Sequence, residues 1–535
     1  MYRSSLCPEA LRLLCLIFSG YGIIFSMTLN KKIASDSIKT TTVTFLVQAV
    51  SFVISAVIAA LYGATGNTDA YFYALSLVLI LTTGTTGILK SVFIPVFLRF
   101  KKEFPEEEKD MLGSFYSVFG FFLLGLWLLF VLISVSLTFI FKLHLGGIEP
   151  VLLGKLLLQM SLLVVLTGLV ECYSTVYNAY QRFVIPLVTP LIRSFVFIGF
   201  VFMTRGFLGV QSLSIGNVLG EFVQLLLLVF AIYHAGISLS FRFRIHKAVR
   251  RMVKISLPPF LSNAMTRVNN LVDSTFIAPL LIGGVTILNY SSKIAGIPEM
   301  LLTGAFLTVV LSYWSLSRSE EGMSKVGDSL KKVFLVLGFI FIPLLFFMYF
   351  LRLPLVQLMY ERKNFTYELS VSTAQFLGLY LIGILPLILG RVLTRVFLVI
   401  EDTWTPFWVG NFRFILNIAA NFTLIKFFGY IGIPISTTLT SFAMFFYMYF
   451  ALRKKVKITG EFYIISDYVK MVGAGLLSGY IVFIAYNYFI ALFGMEFMRR
   501  VFSLGLSCAL GLLLYLLLNF LLKSRSIKLL LELRK

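Results

Sequence analysis

Apolar residues run along this chain in long unbroken stretches, without the alternating or three-four spacing of a soluble fold. A helix that crosses the roughly 30 Å apolar layer of a bilayer needs about 20 such residues. After residue 40, fourteen stretches reach that length, at about 44–63, 70–97, 113–141, 150–178, 183–204, 209–235, 256–282, 285–314, 329–351, 369–399, 404–425, 428–452, 469–493 and 500–522. The connections are short, the longest outward one covering only 352–368, so no soluble domain fits between them. The pattern predicts an all-α integral membrane protein with about 14 transmembrane helices.

Composition agrees with this: of 535 residues, 59% are hydrophobic and 13% charged, against roughly 25% charged in soluble domains. The charge pattern adds topology. Formal net charge is +22. With the segment before residue 44 placed in the cytoplasm, the inward connections carry 27 Lys and Arg and the outward ones nine, counting Lys155 and Arg500 at the helix ends beside them. The positive-inside rule then predicts a multi-pass protein of the cytoplasmic membrane with both termini inside. The densest run, Arg242, Arg244, Lys247, Arg250, Arg251 and Lys254, reads as an anionic-lipid anchor in a loop pinned to the membrane, which excludes a nucleic-acid role. A further apolar stretch, Leu13 to Leu29, admits three readings: an uncleaved extra helix, a start placed too early with Met27 as the true one, or a cleaved signal.

An internal repeat divides the chain. Pro186 through Arg193 and Pro406 through Arg413 each place an Arg at the seventh position after a Pro that opens a helix. Six helices separate the copies, so the halves share one orientation, as in transporters built from parallel repeats. The expected organisation is an N-terminal extension (1–43), a six-helix lobe (44–237), a basic linker (238–255), a second six-helix lobe (256–452), and two extra helices with a basic tail (453–535).

Charges inside the apolar runs carry the functional signal, because each costs on the order of 3 kcal/mol at the bilayer centre. The cations are Lys90, Arg193, Arg267, Lys293, Arg391, Arg395, Arg413 and Lys470, and the acids Glu171, Glu221, Asp273 and Glu299. Lys90, Arg395 and Lys470 lie near helix ends, where snorkelling accounts for them. The seventh and eighth runs are the most polar; Thr266, Asn270 and Asp273 share a helical face that lipid would reject. Net positive charge in a cavity suits an anionic substrate, and an inside-negative potential would draw a diphosphate outward by roughly 2.3 kcal/mol per charge per 100 mV. His144, His234 and His246 lack catalytic or metal spacing, and Cys7, Cys15, Cys172 and Cys508 form no CxxC. The chain therefore reads as a transporter, not an enzyme.

Several stretches resemble the MurJ/MviN group of lipid II flippases, in the superfamily that also holds MATE exporters: Tyr62 through Phe72, Phe93 through Phe97, Leu257-Pro258 through Asp273-Ser274, Asn289 through Pro298, Ser315 through Ser317, and Asp402 through Pro406. The resemblance implies two lobes around a cationic cavity, alternating access, and a groove for a lipid tail at the last two helices. Asp69 matches the family's acidic residue after the first helix, and Lys293 falls where the family has an Arg. Gln48, Ile54 and Thr82-Thr83 stand where family members carry Arg, which leaves another polyprenyl-diphosphate sugar open as the substrate. The expectation is a monomeric flippase for a lipid-linked anionic saccharide in the bilayer. Arg267 and Lys293 would hold the diphosphate, Arg391 and Arg413 assist, Asp69 act at the gate, and Asp273, Asn270 and Arg193 complete the lining. No cofactor is expected beyond a coupling ion, Na+ or H+, and the membrane potential. The alternative is an ion-coupled, MATE-like exporter with Glu171, Glu221 or Asp273 as the coupling site.

Overall fold

The computed structural model describes residues 31–137, 145–237, 240–303, 314, 323–402, 404–456, 461–494 and 496–527. The segment Leu13 to Leu29, the Ser315 to Ser317 motif, Thr403, His144, Cys7 and Cys15 lie outside them. Sixteen α-helices span the described residues: α1 (Lys31–Tyr62), α2 (Gly66–Ile88), α3 (Ile94–Glu103), α4 (Glu108–Val135), α5 (Pro150–Ala179), α6 (Val184–Leu208), α7 (Gln211–His234), α8 (Lys247–Ile277), α9 (Gly284–Thr303), α10 (Met323–Phe350), α11 (Arg352–Tyr360), α12 (Tyr367–Val399), α13 (Trp404–Phe428), α14 (Gly432–Arg453), α15 (Glu461–Phe493) and α16 (Phe497–Leu521).

Local chemistry sets the boundaries. α2 starts four residues before its apolar run because Thr65 and Thr68 form a capping box, each side chain bonded to the other's backbone N–H at 3.4 and 2.8 Å. α2 and α3 form one span through a π turn at Leu89–Phe93, where Pro95 cannot donate to the preceding turn. α8 begins nine residues before its apolar run, capped by His246, whose Nδ1 accepts from the Ala248 amide. Eleven helical stretches are long and apolar enough to cross a membrane. The fourteen expected runs differ from these in two ways. α13 and α14 are joined by a 3-10 turn at Gly429–Ile431 into one continuous stretch. The helices over the seventh and eighth runs, α8 and α9, are present but too polar to count by hydropathy.

Two groups of helices pack around a shared interface. In the first, α5 lies among α2, α4 and α7, with α6 on α7 and α1 on α6. In the second, α12 is central, packing against α9, α10 and α14, with α13 on α14; its Val392, Leu393, Val396 and Phe397 are fully buried. α15 packs on α10 and α16 on α15, forming a layer outside the second group. The groups meet mainly where α2 lies along α8. Gly84 and Gly87 permit that approach: a Cβ at these positions would stand 2.6 Å from the Phe260 ring and 2.4 Å from Asn263 Nδ2. Beyond α8's start, the linker is tied to α4, with Arg242 paired to Asp110 at 2.6 Å and the His246 amide donating to Ser114 Oγ at 2.8 Å.

Candidate functional site

The first functional side chain follows directly from the α2 capping box, which places Asp69 in the helix's first turn. Its carboxylate crosses the interface and accepts from the amides of Gly283 (2.7 Å) and Thr286 (2.8 Å), while the Thr286 hydroxyl donates at 2.7 Å. Asp69 thereby caps the N-terminus of α9, where amides lack helical partners and the dipole favours a negative charge. The carboxylate is 1% exposed, so these bonds are unshared with water. Gly283 adopts φ +81°, and a Cβ there would meet the Ala64 carbonyl oxygen at 2.6 Å; the backbones of the two groups touch at this point.

Three turns into α9, Lys293 makes a second crossing. Its Nζ donates to the Ser51 carbonyl (2.7 Å), Ser51 Oγ (2.9 Å) and Ser55 Oγ (2.6 Å) on α1, which uses all three of its N–H bonds. The α1 surface thus supplies neutral oxygens to the cation.

A charge cluster lies within the second group. Arg391 Nη2 on α12 pairs with Glu299 Oε1 on α9 at 2.5 Å. Arg267 on α8 is exposed and interacts electrostatically with the same carboxylate. Arg413 on α13 interacts with Arg391, Glu299 and Asp273. Its Nη2 reaches Ser441 Oγ at 3.5 Å, its Nε has no partner, and it borders a cavity of about 50 Å³ lined also by Tyr380, Thr437, Thr438 and Ser441. Asp273 is 6% exposed and accepts from Asn421 Nδ2 (2.9 Å) and Thr437 Oγ1 (3.0 Å), within a network that includes Asn417 and Ser436. The Asn270 side chain, one turn earlier, is exposed.

The two copies of the Pro-to-Arg spacing set their arginines against different partners. Arg193 pairs with Glu221 on α7 at 2.9 Å, and Arg413 faces Ser441 on α14. The same interval along the chain separates the two partners as separates the two arginines. In the first group a carboxylate neutralises the repeated Arg. In the second a hydroxyl stands in its place, and Arg413 interacts with Asp273 through space without an ion pair at that position.

The family model for "Lipid II flippase MurJ" matches residues 58–504. The chain belongs to the MurJ family. A probable lipid II flippase MurJ from Buchnera aphidicola is 26% identical over 435 residues, 78% of this chain and 83% of the relative. The lipid II flippase MurJ of Burkholderia cenocepacia is 23% identical over 455 residues, 81% and 86% of the two chains. Among solved structures, a lipid II flippase MurJ in an inward closed conformation superposes with TM-score 0.75 at 22% identity, covering 92% of this chain and all of that one. An inward-facing MATE-family multidrug transporter superposes at 0.62 with 12% identity over 78% of this chain and 94% of its own, so the fold extends beyond the MurJ family.

For this MurJ-family chain, the structure gathers Arg267, Arg391, Arg413 and Asp273 in one region. It places Lys293 apart from them against α1, Asp69 at the end of the interface, and Arg193 in the first group. Sequence reasoning named Glu299 among the buried acids without giving it a role, and it missed Ser51, Ser55, Thr286, Asn417, Asn421 and Thr437. Serines, threonines and asparagines carry no charge signal in an apolar run. Their partners lie on helices remote in the chain, α1 against α9, α2 against α9 and α8 against α13, beyond the reach of helical periodicity.

Proposed function

We propose that this chain moves a polyprenyl-diphosphate-linked saccharide, lipid II or a related glycan precursor, from the inner to the outer leaflet of the cytoplasmic membrane by alternating access between its two helix groups. The observation that carries this reading is the excess of guanidinium groups over carboxylates on the membrane-spanning helices of the second group: Arg267, Arg391 and Arg413 against Glu299 and the hydrogen-bonded Asp273. Guanidinium matches the paired oxygens of a phosphate and keeps its charge in a dry site. Membership of the MurJ family and the relatives' naming as lipid II flippases support the same substrate class. The two crossings from α9, at Asp69 and Lys293, are the contacts that one end of the interface must break to open.

Asp273 is a buried carboxylate that already accepts from the Asn421 amide nitrogen and the Thr437 hydroxyl. We assign ion coupling to this carboxylate, with a proton or a sodium ion as the coupling ion. The protein acts as a monomer with both termini in the cytoplasm, and the membrane potential adds to the driving force on the anionic headgroup. A MATE-like exporter of organic cations is less well supported, since Glu221, one of its coupling candidates, is taken up by Arg193.

Reconstitution of the full chain in proteoliposomes with a fluorescent polyprenyl-diphosphate sugar tests the reading. Outer-leaflet appearance should accelerate under an inside-negative potential. It should fall at least tenfold in the Arg267→Ala, Arg391→Ala double variant, on the order of the loss of one transition-state charge contact. Undiminished flipping by that variant, or efflux of organic cations in its place, would overturn it.

A further inference from the structure

Glu299 is a titratable group inside the membrane-spanning part that the headgroup-binding reading leaves without a task. Its position is informative. Oε1 sits 2.5 Å from Arg391 Nη2, and both Arg267 and Arg413 act electrostatically on the same carboxylate. One guanidinium, on α12, is therefore paired directly with the acid from α9, and two more, on α8 and α13, act on it through space. The Glu299 and Arg391 side chains are 23% and 40% exposed, whereas the Asp273 network is enclosed. The pair is reachable.

We propose that Glu299 is the protein's own stand-in for the substrate's diphosphate, a carboxylate that the headgroup must displace from Arg391 in order to bind. This rests on the reading that the headgroup is a diphosphate. A carboxylate and a phosphate offer a guanidinium the same pair of acceptor oxygens, so one can replace the other without rearranging Arg391. The diphosphate brings about two charges and more oxygens, enough to engage Arg267 and Arg413 as well. The exchange raises the threshold for binding: weaker or singly charged anions cannot repay the broken pair, and this filters for diphosphates.

The exchange also reaches the interface. Charged side chains tether α9 along its length: Asp69 at its start, Lys293 in its middle and Arg391 at Glu299. Pro298 precedes Glu299 inside the helix and removes one helical hydrogen bond there, so this turn bends at low cost. Displacing Glu299 removes the ion pair that holds that turn of the helix to α12, while its other end still closes the interface at Asp69. Headgroup occupancy is thus felt by the helix that seals the two groups together, which is the physical requirement for coupling between two places.

The test is titration of inorganic pyrophosphate into the purified full chain by calorimetry, for the wild type, Glu299→Gln, Arg391→Gln and the double variant. Glu299→Gln should bind about tenfold more tightly, because the competing anion is gone, and this gain should vanish when Arg391 is also Gln. Glu299→Asp keeps the charge on a shorter stem and should tighten binding by a smaller factor; it carries the test if the Gln variant fails to fold. Wild-type binding with unchanged or weaker affinity in these variants would overturn the proposal and leave the headgroup reading standing. Failure of every variant to bind either pyrophosphate or a polyprenyl diphosphate in nanodiscs would overturn the headgroup reading and the proposal with it.

Discussion

Asp69 and Thr286, on α2 and α9, share two hydrogen bonds across the interface, from the Thr286 amide at 2.8 Å and from its hydroxyl at 2.7 Å. With the Gly283 amide at 2.7 Å, the carboxylate satisfies three donors at the start of α9. Asp69→Ala leaves two buried amides without an acceptor, at a cost of about 3 kcal/mol. Hydrogen-exchange mass spectrometry should show residues 283–290 exchanging on the order of 100-fold faster in the variant, with helices away from the interface unaffected. Exchange at the wild-type rate would mean that other contacts hold this end.

The Lys293 crossing yields a second expectation. Its Nζ is held by Ser51 and Ser55 side chains at 2.9 and 2.6 Å, so removing either partner should cost stability non-additively. In a cycle of Lys293→Met against Ser51→Ala with Ser55→Ala, thermal unfolding in detergent should give a coupling of about 1–2 kcal/mol. Simple additivity would show that the lysine reaches other partners.

These two crossings also mark the limit of what the sequence discloses. The apolar runs dictated the helices, since a backbone in lipid has no other way to satisfy its amides. The Pro-to-Arg spacing marked Arg193 and Arg413, and intramembrane charge alone singled out Arg267, Arg391 and Asp273. Partner identity was not legible. Periodicity fixes which face of α9 carries Lys293, but not that α1 meets that face with two serines. The runs at 256–282 and 285–314 are long enough to read as spans, but the polar side chains of α8 and α9 dilute their hydropathy below that of the eleven spanning stretches. The basic linker reads in the sequence as an anionic-lipid anchor in a loop; its last residues are helical, and its Arg242 and His246 are fastened to α4.

Outside the membrane-spanning helices, Asp402 joins the α12–α13 turn to the end of α14. Partial burial raises its carboxyl, but Lys455 Nζ at 2.5 Å and the Thr405 hydroxyl and amide at 2.5 and 3.0 Å outweigh it, and the pKa is held down at about 2. A carboxyl depressed in the folded state adds stability that is complete above its ordinary value of 3.8 and is lost as pH falls toward 2. Asp402→Asn should therefore lower the unfolding temperature at pH 7, and the gap from wild type should narrow as pH falls below about 4. Thermal scans from pH 3 to 7 check this; a gap independent of pH would assign the effect to the neutral hydrogen bonds.

The asymmetry between Arg193 and Arg413 predicts what a single residue does to the charge of the site. Glu221 neutralises Arg193 at 2.9 Å, while Ser441, at the matching position, makes no ion pair with Arg413, which borders a cavity of about 50 Å³. Ser441→Glu installs in the second group the pair already present in the first, with the cavity taking up the added volume. Such a pair roughly breaks even in stability, so the unfolding temperature should hold, while pyrophosphate affinity should drop about tenfold for the loss of one cation's contribution. Ser441→Gln has the same bulk without the charge and should bind as the wild type does. In the first group, Arg193→Met strands a carboxylate that is 1% exposed, at about 3 kcal/mol, and should lower stability without the specific loss of affinity. Equal losses of affinity in Ser441→Glu and Ser441→Gln would show that shape, and not the charge on Arg413, is what the site reads.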